Sequence, residues 1–275
     1  MIFLERNSNV RTAKVYAAFS SEDCHPWRDE PYKDSDERNT WCYLVTEFIT
    51  GETLLDLQTK EEEDEEKMLR PAVHRKIAAM FAEQFQQLRS VPPQSHYYGR
   101  INNRPFPRLG SLDIPKDPDS HKWGGPYEYD EFLETVMHTS MMALAIQNSD
   151  SGSFEPLKRH AFHQAKSVLG KSEPDYRVPV LQHGDLQAHN VMVKLLYDKK
   201  GHAFDVEDLV FIDWEYMAWV PPWFELGGLI RISIAGDRLA PSVVELALDQ
   251  LKFNMAPAIF WGYGIHRHYF RYNHF

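Results

Sequence analysis

VPVLQHGDLQAHNVMVKLLYDKKGHAFDVEDLVFIDWE, residues 178–215, is the stretch of sequence that decides the fold. It contains two apolar runs, VMVKLLY and LVFI, with the turn-forming residues DKKG between them, which is the pattern of a β-hairpin. Polar residues stand at the ends of this hairpin: HGDL and Asn190 precede the first run, and Asp213 follows the second. The pattern therefore predicts that these polar side chains meet at one end of two paired strands.

The spacing of these polar residues suits phosphoryl transfer. His183-Gly184-Asp185-Leu186-x-x-x-Asn190 has the spacing of the kinase catalytic loop H-R-D-L-x-x-x-N, with Gly184 in place of the arginine. Transfer from ATP needs a carboxylate that positions the acceptor hydroxyl, and oxygen ligands that hold Mg²⁺ against the phosphates. On this interpretation Asp185 is the catalytic base, and Asn190 and Asp213 are the metal ligands.

Two other interpretations of the same residues stay open. The Asp and Asn side chains could serve only to cap a turn by bonding backbone groups. Four residues could instead form a transition-metal hydrolase cluster, because histidine and carboxylate ligands suit zinc or manganese: His183, Asp185, His189 and Asp213. The hydrolase interpretation leaves Asn190 without a role.

Two strands are predicted near the N-terminus, after a short helix that ends in IFLERN. KVYAAF, residues 14–19, alternates in side-chain character, and WCYLVTEFI, residues 41–49, predicts a buried strand that breaks at Gly51. The charged residues 24–39 between them predict a long loop. Together these features indicate two strands of one hairpin.

Helical periodicity is clear in two places. Apolar residues at helical spacing predict a core helix that ends before Pro92: Ile77, Met80, Phe81, Phe85 and Leu88. A second helix, residues 128–146, is predicted to pack through Phe132, Leu133, Val136 and Met141. Residues 94–126 are predicted to form a long loop and a functional surface, and the acidic run 61–66 reads as a solvated helix start or loop.

The composition limits the classes of function. With 43% apolar and 13% aromatic residues in 275, the chain can bury a sizeable core. A formal net charge of -10 opposes binding to nucleic acid. No stretch approaches the ~18 apolar residues of a membrane span, and two cysteines, Cys24 and Cys42, fit a reducing compartment. We therefore expect a globular, cytoplasmic protein with neither nucleic acid nor membrane as partner.

With these residues in place, a family resemblance is evident. HGDLQAHNVMV and VFIDWEYM resemble the catalytic-loop and metal-binding motifs of the aminoglycoside phosphotransferase and choline-kinase-like family, WCYLVTEFITGETL resembles its interlobe hinge, and FLERNSNVRTAKVYAAF resembles the preceding segment of fungal-type members. The resemblance implies an α+β, protein-kinase-like fold whose mostly helical C-terminal lobe carries the catalytic β-hairpin. Residues 51–275 would form that lobe, and residues 1–50 would form the hinge and an N-terminal lobe reduced to a few strands.

The resemblance also implies roles for individual residues. It assigns backbone contacts with the adenine of ATP to three hinge residues: Glu47, Phe48 and Ile49. It implies that His183 braces the catalytic loop, that Glu215 adjoins the metal site, and that Glu225 helps to fix the catalytic loop. Glu225 stands where the family usually has aspartate.

A complete enzyme of this type has a Gly-rich loop over the phosphates, a strand lysine that grips them and a helix glutamate that holds the lysine. The first glycine here is Gly51, and the lysines before it are Lys14 and Lys33, neither of which matches. A truncated sequence and a genuine short form both explain this pattern. In either case we expect the chain as given to bind Mg-ATP weakly.

Two functions follow as hypotheses. The leading one is an ATP- and Mg²⁺-dependent phosphotransferase that acts on a hydroxyl of a small molecule, and the acidic net charge suggests an amine-bearing acceptor. The alternative is a pseudokinase-type binding or regulatory protein without catalysis, which the missing lysine and Gly-rich loop favour.

Overall fold

The computed structural model describes residues 1–21, 41–106, 108–109, 112–113, 124–147, 156–171, 173–233, 238–253 and 256–261. The α-helices are α1 Ile2–Asn7, α2 Leu54–Glu63, α3 Pro71–Arg89, α4 Tyr129–Gln147, α5 Pro156–Gly170, α6 Pro222–Ser233, α7 Leu239–Leu251 and α8 Ala256–Trp261. The strands are β1 Val15–Ser21, β2 Trp41–Thr46, β3 Glu52–Thr53, β4 Gly99–Arg100, β5 Arg108–Leu109, β6 Leu112–Asp113, β7 Val180–Gln182, β8 Val191–Tyr197, β9 Ala203–Phe211 and β10 Ala218–Val220. Helices with small antiparallel sheets make the fold α+β, as predicted.

The predicted hairpin of residues 191–211 is confirmed. Strands β8 and β9 pair antiparallel with Val191 opposite Phe211, and β3 adds a third strand beside β8. At the closed end, the carboxylate of Asp198 accepts bonds from the backbone N–H groups of Lys200 and His202, and Gly201 has a φ of +82°. Turn chemistry therefore fixes the register, and that register brings the first residue of β8 level with the last residue of β9.

A second small sheet was not predicted. Its order is β4-β10-β7, and Arg100 and Gln182 both lie opposite Ala218. The prediction that residues 94–126 form only a long loop is therefore wrong, because β4, β5 and β6 lie within that range. Strands of two residues are too short to show a period of two, so only the tertiary pairing identifies them.

The N-terminal strands pair as predicted but are not buried. β1 and β2 form an antiparallel, two-stranded sheet, while the loop of residues 24–39 lies outside the described residues. Leu44 is 54% exposed and Val45 is 46% exposed, so the prediction of a buried strand is wrong. An apolar run predicts burial, but this sheet has only two strands among the described residues.

The predicted core helix is confirmed as α3. Ile77, Phe81, Phe85 and Leu88 are buried, and α3 packs against α7 and β9. The second predicted helix is α4, in which Phe132, Leu133 and Val136 are buried and the side chain of Met141 lies outside the described residues. Periodicity thus identified the two longest helices of the core.

The acidic run ends a helix that the sequence pattern did not reveal. Helix α2 begins at a capping box in which Thr53 accepts from the backbone of Asp56, and the Asp56 carboxylate accepts from the backbone of Thr53. The helix continues to Glu63. The start of the run therefore closes a helix rather than opening one.

One hydrophobic core includes residues from both halves of the predicted domain division. Leu4 and Val10 of the first 50 residues are buried in the same cluster as Ile77 and Phe211. The boundary at residue 50 stays a prediction. Within the described ranges no helix is both long and apolar enough to cross a bilayer.

Candidate active site

A cleft of about 990 Å³ lies between the end of β2, the start of α1 and the open end of the β8–β9 hairpin. Residues from several segments of the chain line it, among them Glu47, Phe48, Ile49, Arg100, Arg104, Met192, Ile212, Asp213 and Glu215. The predicted hinge and the predicted metal-binding aspartate thus line one cavity, although they are far apart in sequence. Their predicted roles stay predictions.

The predicted catalytic loop is held together by amide groups around Asp185. The side-chain amide of Asn190 donates to the carbonyl oxygen of Asp185 at 2.8 Å and to its carboxylate at 3.2 Å. Gln187, which the sequence did not single out, donates to the other carboxylate oxygen at 2.6 Å. The carboxylate of Asp185 is therefore oriented from two sides, as a group that must align an acceptor hydroxyl requires.

Asp213 and Asn190 lie on adjoining strand ends. The N–H of Ile212 donates to the carbonyl oxygen of Asn190 at 3.0 Å, and Asp213 then turns into the left-handed region at φ 64° and ψ 60°. Partial burial raises the pKa of Asp213, and the negative charges of Glu215 and Asp185 raise it further. Asp213 and Glu215 thus line this end of the cleft together, and Asp185 lies close enough for its charge to act on Asp213.

These residues fit a Mg²⁺ ion. Because Asn190 uses its amide N–H groups on Asp185, its side-chain oxygen is the atom left for a metal. The pKa of Asp213 is raised first by burial and then by the charges of Glu215 and Asp185, and a bound cation would offset those charges. Within the described residues no three His, Cys, Asp or Glu side chains form a metal cluster by themselves. Mg²⁺ commonly binds through one or two carboxylates and completes its shell with water and substrate phosphate.

His183 is a structural residue of the loop. It is fully buried, its Nε2 lies 2.7 Å from the carbonyl oxygen of Ile212, and its Nδ1 accepts from the N–H of Asp185 at 3.3 Å. Burial lowers the pKa of its imidazole to about 4, so the ring is neutral and donates through Nε2. Because both ring nitrogens are occupied, the hydrolase alternative that makes His183 a metal ligand is wrong.

Glu225 in α6 supports the same loop from beneath. Its buried carboxylate accepts a hydrogen bond from the N–H of Gly184 at 3.0 Å. Burial raises the pKa of Glu225 to about 7, and the nearby Arg89 opposes that shift.

The loop requires glycine at position 184. Gly184 has a φ of +91°, and a Cβ there would lie 2.5 Å from the carbonyl oxygen of Tyr216, which is too close for any other residue.

Arg89 is a further residue of this region that the sequence did not reveal. Its guanidinium is buried, donates to the carbonyl oxygen of Pro222 at 2.5 Å and stacks over Phe85 at 4.7 Å. Burial lowers the pKa of Arg89 to about 10, against the charge of Glu225. An arginine in the last turn of an amphipathic helix reads as a solvated residue, so no sequence signal marks it.

The hinge is anchored through Glu47. Its carboxylate forms a two-bond ion pair with Arg11 at 2.8 and 3.0 Å, and its N–H donates to the carbonyl oxygen of Lys14 at 2.8 Å. The bond with Arg11 is the main reason that the pKa of Glu47 falls to about 2. The N–H of Glu47 is thus already used, which leaves its carbonyl oxygen and the backbone of Phe48 and Ile49 to meet a base.

Comparison with known proteins adds one match. The family model described as the phosphotransferase enzyme family matches residues 11–261, which include the hinge, the catalytic hairpin and α6. A search of curated proteins found none that matches the chain. The family match covers most of the chain and agrees with the resemblance that HGDLQAHNVMV and VFIDWEYM suggest.

Proposed function

This chain belongs to the phosphotransferase enzyme family, and from that premise we propose that it transfers the terminal phosphoryl group of ATP to a hydroxyl of a small molecule. The observation that carries the proposal is the shared cleft, in which Glu47, Phe48 and Ile49 face Asp213. A nucleotide that lies along the cleft would have its base at the hinge and its phosphates at the open end of the hairpin. The finer assignment within the family is a protein-kinase-like protein of the aminoglycoside phosphotransferase and choline kinase type, fungal in character.

Each residue has a distinct task under this proposal. Asp185 accepts the proton of the acceptor hydroxyl, and Asn190 and Gln187 keep its carboxylate aligned. Asp213 and the side-chain oxygen of Asn190 hold Mg²⁺, which neutralises phosphate charge when it is bound. Catalysis then rests on positioning and on electrostatic stabilisation rather than on a covalent enzyme intermediate.

The base-binding part of the cleft suits an aromatic ring. Met192 of β8 and Ile212, which directly follows β9, line the same cleft as the hinge and Asp213. Apolar contact on a ring face together with backbone hydrogen bonds at its edge is the usual way to bind a planar base. We extend the proposal to a cytoplasmic location and to an acceptor that is neither nucleic acid nor membrane.

A second candidate is a nucleotide-binding or regulatory protein without catalysis. One observation favours it: among the residues that the structure describes, no lysine lines the cleft. Kinases use such a lysine to hold the phosphates of ATP. Binding without turnover would therefore be the expected behaviour if no other cation takes that place.

The experiment is to measure ATP turnover with Mg²⁺ over a panel of hydroxyl compounds, for wild type, Asp185→Asn and Asp249→Asn. Asp249 is exposed on α7 and does not line the cleft, so its variant is the matched control. We expect Asp185→Asn to lose ~10²-fold or more in rate with unchanged Mg-ADP affinity. Turnover within a few-fold of wild type would overturn Asp185 as the base, and Mg-ATP binding without any turnover would favour the second candidate.

A further inference from the structure

Two arginines line the cleft at the end that carries Asp213 and Glu215. Arg100 is the last residue of β4, and Arg104 follows three residues that turn the chain back. The sequence predicts a functional surface within residues 94–126, but no sequence pattern marks either arginine. Their position beside the predicted metal site raises the question of what two cations do there.

The two arginines are fixed opposite each other. They form an antiparallel bridge in which the N–H of Arg100 donates to the carbonyl oxygen of Arg104 at 2.8 Å. Directly opposed residues of an antiparallel pair project their side chains to the same face, with Cβ atoms about 5 Å apart. Like charges in this arrangement repel each other, so a pair of arginines here is unfavourable unless an anion lies between or above them.

The surrounding backbone holds this arrangement in place. Arg100 lies opposite Ala218 of β10, which follows the Asp213 loop directly, and its guanidinium donates to the carbonyl oxygen of Glu215 at 3.0 Å. In the turn, Asn102 and Asn103 adopt left-handed conformations with φ of 62° and 54°. Asparagine is one of the few non-glycine residues that tolerate this region, so these two residues suit the turn that returns the chain from Arg100 to Arg104.

Neither arginine is neutralised by the rest of the chain that the structure describes. Arg11 pairs there with Glu47 and Asp208, and Arg238 pairs with Glu62. By contrast, within the described ranges no carboxylate lies within ion-pair distance of Arg100 or Arg104. Within the described residues, the one hydrogen bond from either guanidinium group is that of Arg100 to the carbonyl oxygen of Glu215. Guanidinium groups match the oxygen atoms of phosphate and carboxylate in pairs.

We propose that Arg100 and Arg104 bind an oxyanion, a phosphate or a carboxylate, at the Asp213 end of the cleft. The inference rests on the proposed function for its assignment to donor or acceptor. Phosphate of the nucleotide is one source, because Asp213 and Glu215 would repel a free anion but not one that arrives with a divalent cation. An anionic group on the acceptor is the other source, and it would replace the amine that the net charge of the chain suggested.

The test uses binding, so it does not depend on turnover. Calorimetry of the full chain would compare adenosine, Mg-ADP, Mg-pyrophosphate and inorganic phosphate, the last in the presence of saturating Mg-ADP. The variants are Arg104→Gln, Arg104→Lys and the control Arg75→Gln, because Arg75 is exposed on α3 and does not line the cleft. Arg104 is preferred to Arg100, which also bonds the backbone of Glu215.

Loss of a charge-assisted bond predicts a drop of about tenfold in affinity. If Arg104→Gln weakens Mg-ADP and Mg-pyrophosphate while adenosine binds as before, the oxyanion belongs to the nucleotide. If it weakens only the phosphate that binds beside Mg-ADP, the oxyanion belongs to the acceptor. In both cases Arg104→Lys should recover part of the affinity and Arg75→Gln should behave as wild type.

Two results would overturn the inference: wild type that binds neither Mg-pyrophosphate nor inorganic phosphate, or Arg104→Gln that binds every probe as tightly as wild type. Failure of the proposed function has a different signature. Wild type would then bind neither adenosine nor Mg-ADP, whatever its affinity for the inorganic anions.

Discussion

The side-chain amide of Asn190 donates to the carbonyl oxygen and to the carboxylate of Asp185, at 2.8 and 3.2 Å. One residue thereby fixes the direction of the predicted base and offers its remaining side-chain oxygen to a metal. The relationship makes the two tasks separable, because a change of the amide alone alters the donor without altering the size of the side chain.

Asn190→Asp tests that relationship. The change removes the donor and places a second negative charge beside Asp185, so the carboxylate of Asp185 loses the bond from Asn190 that helps to orient it. We expect turnover to fall about tenfold or more, with the fold intact by circular dichroism. Asn7→Asp, at the exposed end of α1, is the control. Turnover equal to that of wild type would show that Asn190 does not act on Asp185 in the working enzyme.

Gly184→Ala should destabilise the protein through a close contact and a strained backbone. Gly184 has a φ of +91°, and the new Cβ would lie 2.5 Å from the carbonyl oxygen of Tyr216. Gly201→Ala is a matched control, because Gly201 has a φ of +82° but nothing within 4 Å of the added carbon. We expect the control to lose ~1 kcal/mol in urea unfolding and Gly184→Ala ~3 kcal/mol. Equal losses would rule out the contact.

The grouping of Asp185, Asn190 and Asp213 could be predicted because these residues have fixed spacing around one hairpin, while their catalytic and metal-binding roles stay predictions. Asp185, Asn190 and Asp213 all flank one hairpin. Local apolar runs predict its two strands, and DKKG predicts its turn. Helix α3 could also be predicted, since Ile77, Phe81, Phe85 and Leu88 repeat at helical spacing, and all four are buried.

The residues that were missed depend on tertiary pairing. Arg100 reaches the cleft because β4 pairs with β10 over two residue pairs, and Arg89 is half-buried because Pro222 of α6 and Phe253 contact its guanidinium. The apolar character of Leu44 and Val45 predicts burial, yet the strand that carries them has one neighbouring strand among the described residues. The local sequence pattern of a segment does not predict how many strands or layers pack beside that segment in the folded protein.

Asp213→Asn should separate metal binding from backbone geometry. Asparagine tolerates the left-handed conformation that Asp213 adopts at φ 64°, whereas Asp213→Ala would add backbone strain. We expect Asp213→Asn to unfold like wild type but to lose the gain in ADP affinity that Mg²⁺ provides, measured by calorimetry with Mg²⁺ and with EDTA. A variant that keeps the full Mg²⁺ effect would contradict the role of Asp213 as a ligand.

Glu225→Gln should change how stability depends on pH. The pKa of Glu225 is raised from 4.5 to about 7 in the folded protein, so the folded state binds this proton more tightly, and stability falls as pH rises between those values. This difference in pKa corresponds to a change of about 3 kcal/mol in the free energy of unfolding. Gln can still accept the bond from Gly184, so the stability of the variant relative to wild type should rise by about that amount from pH 4.5 to 7.5.

The burial of His183 changes the stability with pH in the opposite direction, and His183 is present in both the wild type and the Glu225→Gln variant. Its pKa falls from 6.5 to about 4 on burial, so stability rises with pH between about 4 and 6.5. The two effects oppose each other in wild type, and Glu225→Gln should expose the rise due to His183. Urea unfolding of both proteins at four pH values measures this, and parallel curves would contradict the raised pKa of Glu225.

Arg11→Met should weaken nucleotide binding while it leaves stability nearly unchanged. Arg11 joins the hinge to the hairpin, because it pairs with Glu47 at 2.8 Å and with Asp208 of β9 at 3.3 Å. All three side chains are about one third exposed, and exposed ion pairs add little to stability. The role of these ion pairs is to position the hinge, since Glu47 begins the segment that is proposed to meet adenine.

For Arg11→Met we expect adenosine affinity to fall several-fold, and we expect raised salt to weaken the binding of adenosine by wild type more than by the variant. Lys194→Met removes a comparable pair with Glu207 on the same hairpin and does not touch the cleft, so it should leave adenosine binding unchanged. Equal effects of the two variants would mean that Arg11 supports the hairpin in general and does not position the hinge.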